Sequence, residues 1–98
     1  MRYHLIIRPE AELDIQDGFE WYEAQLSGLG SEFIRAVDNC LSGIGRNPQS
    51  HPIVYKKARR ALVRRFPYGV LYVFEQEFVA VVACFHSKRD PKYWQGRL

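Results

Sequence analysis

Apolar and polar residues repeat along this chain with two periods, a helical one first and a strand one after it. Between Arg2 and Ile7, the residues Tyr3, Leu5, Ile6 and Ile7 surround His4, a short pattern that predicts a strand with one buried face. Pro9 suits the first position of a helix, where its missing N–H is no loss. Glu10, Glu12 and Asp14 then place negative charge near the positive end of the helix dipole. This helix runs to about Gln25, with Ala11, Ile15, Gly18 or Phe19, and Tyr22 as its apolar stripe and the acids elsewhere. Trp21 falls off the stripe; it either folds back or lies on the surface as part of a partner contact.

Ser27-Gly28-Leu29-Gly30 reads as the turn of a helical hairpin, with Ser31 as the N-cap of a second helix ending at about Ile44. Phe33, Val37, Cys40, Leu41 and Ile44 form its stripe. Gly43 and Gly45 weaken its continuation and Pro48 forbids it. The charged faces of both helices read as solvated surface.

Beyond Pro48 the period becomes that of strands. Ile53 to Tyr55 is a short one, and Lys56-Lys57-Ala58-Arg59-Arg60 links it to another from Ala61 to Phe66. Alternation puts Leu62 and Arg64 on one face of that strand and Val63 and Arg65 on the other, so the two arginines point apart. Phe66-Pro67-Tyr68-Gly69 matches a type I hairpin turn, with Pro at the second position and Gly at the fourth. Val70 to Phe74 is the next strand, Glu75-Gln76-Glu77 a tight connection, and Phe78 to His86 the longest strand. Alternation gives it Val79, Val81, Ala83 and Phe85 on one face and Phe78, Ala80, Val82 and Cys84 on the other. Apolar on both, it belongs in the middle of a sheet covered twice. The helices cover one face; the other falls to the C-terminal tail, through Tyr93 and Trp94, or to a second protein chain. The pattern as a whole predicts an α+β fold: an N-terminal strand and a helical hairpin packed on a curved, mainly antiparallel sheet.

The 98 residues make one domain, 1–98, with the 47% hydrophobic and 26% charged content of ordinary globular proteins. The chain opens without the apolar run of a signal peptide, and Phe78 to Phe85 is too short to span a bilayer, so a cytoplasmic protein is expected. Cys40 and Cys84 lack a CxxC or a His at metal spacing, which reads as two reduced core thiols and no metal or cofactor site. The net charge of +3 conceals a division: residues 1–50 hold 8 acids and 4 bases, residues 51–98 hold 3 acids and 10 bases. Six of those ten bases lie between Lys56 and Arg65, so the second half is suited to a polyanion or an acidic partner.

Two stretches carry a resemblance. Arg64-Arg65-Phe66-Pro67-Tyr68-Gly69-Val70-Leu71-Tyr72 and His86-Ser87-Lys88-Arg89-Asp90-Pro91-Lys92-Tyr93-Trp94, with Arg8-Pro9-Glu10-Ala11 and Trp21-Tyr22 as a third match, resemble the RelE/ParE toxin superfamily of type II toxin–antitoxin systems. They look like its ParE-type branch of plasmid-stabilisation toxins. The resemblance implies a growth-arresting toxin neutralised by a cognate antitoxin whose disordered C-terminal segment folds over the sheet. The superfamily divides between inhibitors of DNA gyrase and ribosome-dependent mRNA endonucleases.

A metal-free ribonuclease must activate a 2′-hydroxyl, stabilise charge on the phosphate and assist the leaving oxygen. His86, of the residue type able to exchange protons near neutral pH, Arg89 and Tyr93 are the catalytic candidates if the protein is a nuclease. His86 otherwise braces the Asp90-Pro91 turn, and Arg89 and Asp90 otherwise pair with each other or with the sheet. Where the nuclease branch has a catalytic arginine, near the start of the strand after the hairpin turn, this chain has Gly69 or Val70, which favours binding to gyrase over cleavage. Lys56, Lys57, Arg64, Arg65 and Trp94 are the candidates for contacting the target or the antitoxin. Trp94 has the alternative of packing on the open sheet face.

Overall fold

The computed structural model describes residues 3–98, so Arg2, which opens the first predicted strand, lies outside the described residues. The elements are β1 (His4–Ile7), α1 (Pro9–Gln25), α2 (Leu29–Arg46), a 3-10 turn (Pro48–Ser50), β2 (Ile53–Tyr55), β3 (Ala58–Leu62), β4 (Tyr68–Glu75), β5 (Phe78–His86) and the single turn α3 (Lys92–Gln95). The five strands form one sheet in the order β1-β5-β4-β3-β2, within the α+β architecture that the sequence predicts. β1 runs parallel to β5, with the helical hairpin in the crossover that a parallel pair needs; the other neighbours are antiparallel.

α1 has the limits its sequence predicts, but its acids do not all lie off the buried face, since Asp14 is buried together with Ala11 and Gly18. Gly18 is where α2 comes closest: a Cβ there would stand 2.7 Å from the ring of Phe33. α2 starts before Ser31, which lies inside the helix. Gly28, at φ +91°, is its N-cap, a left-handed conformation that suits glycine. Glu23 supplies the anion at this helix start, its carboxylate accepting from the N–H of Gly28 at 3.0 Å and of Gly30 at 2.9 Å. The helix passes through Gly43 and Gly45 and ends at Arg46, two residues before Pro48.

β3 begins and ends earlier than its sequence suggests. Its register with β4 pairs Arg59 with Tyr72 and Leu62 with Gly69, and the Val63 N–H closes the ladder on the Tyr68 carbonyl at 2.9 Å. Arg64 and Arg65 therefore lie in the connection, with Arg65 at φ +73°, so strand alternation does not govern them. Tyr68 and Gly69 belong to β4 rather than to a type I turn. The Tyr68 ring is held in the aromatic core, 4.9 Å from Phe33 and 6.0 Å from Tyr22, which fixes the strand start there.

β5 is an interior strand buried on both faces from Val79 to Phe85, as predicted. Its two faces are not the predicted ones. Leu71 pairs with Ala83 but Tyr72 with Val81, so Val82 is an extra residue, a bulge that shifts the alternation. Val79, Val81 and Cys84 consequently face the helices, and Val82, Ala83 and Phe85 face the other side. That second face is covered by the chain's own tail: Trp94, 6% exposed, lies between Tyr55 at 5.7 Å and Phe85 at 5.5 Å, with Tyr93 and Leu98 beside it.

Candidate functional site

At the end of β5 the chain turns into α3. The Ser87 N–H donates to the Pro67 carbonyl at 2.7 Å, and the His86 Nδ1 accepts from the Lys88 N–H at 3.0 Å. His86 thus braces the Ser87-Lys88 turn, while Asp90 braces its own, accepting from the Lys92 N–H at 2.9 Å. Arg89 and Asp90 make no ion pair. The Arg89 guanidinium lies 4.1 Å from the centre of the Tyr93 ring, and that of Arg97 lies 4.7 Å from it.

Tyr93 is tied further inward by its hydroxyl, which donates to Asp14 Oδ1. Asp14, 5% exposed, also accepts from the Cys84 N–H at 3.0 Å and from both terminal nitrogens of Arg97, at 2.7 and 3.2 Å. Arg97 donates in turn to the Val82 carbonyl at 3.1 Å. The backbone groups beside the bulge are therefore satisfied by one buried acid and one base from the tail, as buried polar groups must be. The Asp14 hydrogen bond, together with burial, raises the Tyr93 phenol above its ordinary value, and the Asp14 hydrogen bond raises Arg97 against the opposing effect of burial. Tyr93 keeps its proton and holds the tail in place.

His86, Arg89 and Tyr93 do come together, lining a cleft of about 170 Å³ between α1 and the end of β5, with Trp21 and Tyr68 in its walls. Trp21, 58% exposed, stands edge-on to Tyr22 at 5.0 Å, on the surface rather than folded into the core. Arg64 and Arg65 line a separate groove beside α2, where Arg65 meets Glu32 at 3.2 Å. Lys56, at φ +51°, and Lys57 form the exposed turn between β2 and β3 and border neither cavity; the Lys56 ammonium lies 5.4 Å from the Tyr55 ring centre. Trp94 borders neither, its ring being spent on packing.

No protein-family model matches the sequence, and no curated protein matches it. Solved structures do. A chain of the chromosomal ParDE TA system from P. aeruginosa superposes with a TM-score of 0.66 at 12% identity, over 87% of this chain and 96% of that one. A chain of the toxin–antitoxin complex RelBE2 from Mycobacterium tuberculosis gives 0.62 at 16% identity, over 88% and 99%. The fold is the one that these ParDE and RelBE2 chains have. At these identities the likeness is one of architecture.

On this fold, the place where the resemblance puts a nuclease arginine holds Gly69 and Val70. Val70 is fully buried toward the helices. Gly69 is covered by a side chain of the neighbouring strand, since a Cβ on it would stand 3.1 Å from Arg60 Cδ. The Arg60 Nε is buried without a hydrogen-bond partner among the described residues. Arg60, Asp14 and Arg97 are the residues that sequence reasoning passed over. Asp14 carried a signal, lying three residues after Ala11 and four before Gly18, on the stripe itself. Arg60 and Arg97 carried none, because their partners depend on strand register and on the path of the tail.

Among the described residues, no group of three His, Cys, Asp or Glu side chains is placed to hold a metal ion, and no helix is long and apolar enough to cross a membrane. Both cysteines are free thiols; burial pushes Cys40 up to about 11 and Cys84 up to about 12.

Proposed function

We infer that this protein is the toxin of a type II toxin–antitoxin pair, a ParE-like, plasmid-stabilising protein that arrests growth by binding DNA gyrase rather than by cleaving RNA. The observation that carries this reading is the engagement of Tyr93. Its hydroxyl is given to Asp14 and its ring lies under two guanidinium groups, so the nearest candidate for a catalytic tyrosine serves the tail. The RelE/ParE architecture supports the toxin reading, and the basic second half supports an acidic antitoxin as its partner. Induced expression of the folded protein in a bacterial host should stop growth, and co-expression of the protein encoded beside it should restore growth. Undisturbed growth at a confirmed level of folded protein would remove the toxin reading.

One observation favours the second reading, a ribosome-dependent mRNA endonuclease. Arg60 lays its side-chain methylenes against Gly69 and keeps its guanidinium Nε buried without a partner among the described residues, so the neighbouring strand brings an arginine to the place where β4 lacks one. Toeprinting on programmed ribosomes decides between the two: cleavage that disappears in Arg60→Ala or Arg89→Ala would establish the nuclease.

A further inference from the structure

The open groove beside α2, about 770 Å³ in volume, is bordered by none of the tail residues described above. Arg35, Asn39, Ser42, Gly43 and Arg46 line one wall at i, i+4, i+7, i+8 and i+11, which is a single helix face. Arg64 and Arg65 line the other. Among the described residues the groove has one acid, Glu32, already engaged by Arg65, whereas Arg35, Arg46 and Arg64 are exposed and make no ion pair. Three uncompensated guanidinium groups beside one cavity attract an anion, and the neutral donors Asn39 and Ser42 between them suit phosphate oxygens. Gly43 keeps this wall open, for a Cβ there would meet nothing within 4 Å.

The form of the anion follows from what else lines the groove. Among the described residues its one aromatic ring is that of His51, already edge-on to Tyr72 at 6.2 Å, so a platform for stacking the successive splayed bases of a single strand is not provided for. The one large apolar side chain at its rim is Leu62, too little for an amphipathic acidic helix, which docks through a stripe of anchors. From Arg35 to Arg46 the helix rises about 16 Å, the length along a duplex that carries about five phosphates of one strand. We propose that this groove binds the phosphate backbone of a nucleic acid duplex without reading its sequence. The site is separate from the toxin reading: duplex binding without growth arrest would keep it, and growth arrest without duplex binding would remove it alone.

The test is an anisotropy titration of the full-length protein against a labelled mixed-sequence DNA duplex of about 20 base pairs, between about 50 and 200 mM salt. Duplex RNA, single-stranded DNA and an acidic helical peptide form parallel arms, the first of which distinguishes the two sources of a duplex. The three uncompensated arginines predict that log K against log salt has a slope of about −3. Arg35→Ala with Arg46→Ala should reduce its magnitude by about 2, and Lys92→Ala, away from the groove, should leave it unchanged. Absence of duplex binding at the lowest salt, a slope indifferent to Arg35 and Arg46, or tighter binding of the single strand or the acidic peptide would each overturn the proposal. The substituted arginines are exposed, and circular dichroism verifies that the variants remain folded.

Discussion

The carboxylate of Asp14 and the guanidinium of Arg97 meet at 2.7 Å across 83 residues of sequence, joining the first helix to the C-terminal tail. Between them they also satisfy the Val82 carbonyl at the β5 bulge and the Cys84 N–H just beyond it. The tail's cover of the sheet therefore depends on one buried acid.

Removing that acid should be costly, because it leaves Arg97 and the Tyr93 hydroxyl without their partner. Asp14→Ala is expected to lower stability by about 3–5 kcal/mol, read by urea denaturation with Trp94 fluorescence reporting release of the tail. In a double-mutant cycle with Arg97→Ala, the second substitution should cost far less than it does alone. Additive losses would show that the pair is not coupled.

Gly18→Ala is the corresponding test of the helical hairpin. Its new methyl group would stand 2.7 Å from the fully buried Phe33 ring, whose neighbours Tyr22 and Tyr68 leave it little freedom to move. Overpacking of this kind costs about 1–3 kcal/mol despite the better helix propensity of alanine. A thermal midpoint equal to or above that of the parent would contradict the close approach.

Much of this architecture was legible in the residues, and the departures share a cause. Pro9, the stripe of α2 and the doubly apolar β5 announce their elements because each depends on local pattern. Gly28, not Ser31, caps α2, with Glu23 of the preceding helix accepting from the N–H groups of Gly28 and Gly30, and nothing near Ser31 announces that. The bulge at Val82 inverted the faces of half of β5, since a single inserted residue leaves the apolar run unchanged to the eye. Arg64 and Arg65 resembled a strand end until the β3–β4 register placed them in the connection. Of the site, the gathering of His86, Arg89 and Tyr93 followed from their motif; the engagement of Tyr93 by Asp14 required the third dimension.

Alkaline pH should unfold the protein progressively. Burial holds Cys40 near about 11, Cys84 near about 12 and Tyr72 near about 12, and the Asp14 hydrogen bond raises Tyr93. Between about pH 9 and 12 the unfolded chain releases protons that the folded chain keeps, so stability falls as pH rises through that window. The urea midpoint is expected to decline from pH 9 upward, less steeply in Cys84→Ala. A midpoint constant to pH 11 would contradict the burial of these groups.

Trp94→Ala tests whether the tail or a partner is the main cover of the second sheet face. Its ring is buried between Tyr55 and Phe85, so truncation should cost about 3–5 kcal/mol in the isolated protein. The measurement is chemical denaturation without any partner; a loss below about 1 kcal/mol would leave the cover to another chain.

The proposed action is the binding of gyrase, with Tyr93 holding the tail rather than performing chemistry. Its most direct test is a DNA gyrase supercoiling assay run with the purified protein and with Tyr93→Phe, which removes only the hydroxyl given to Asp14. The account predicts that both block supercoiling at comparable concentrations. Unimpeded supercoiling in the presence of the folded parent protein would contradict it.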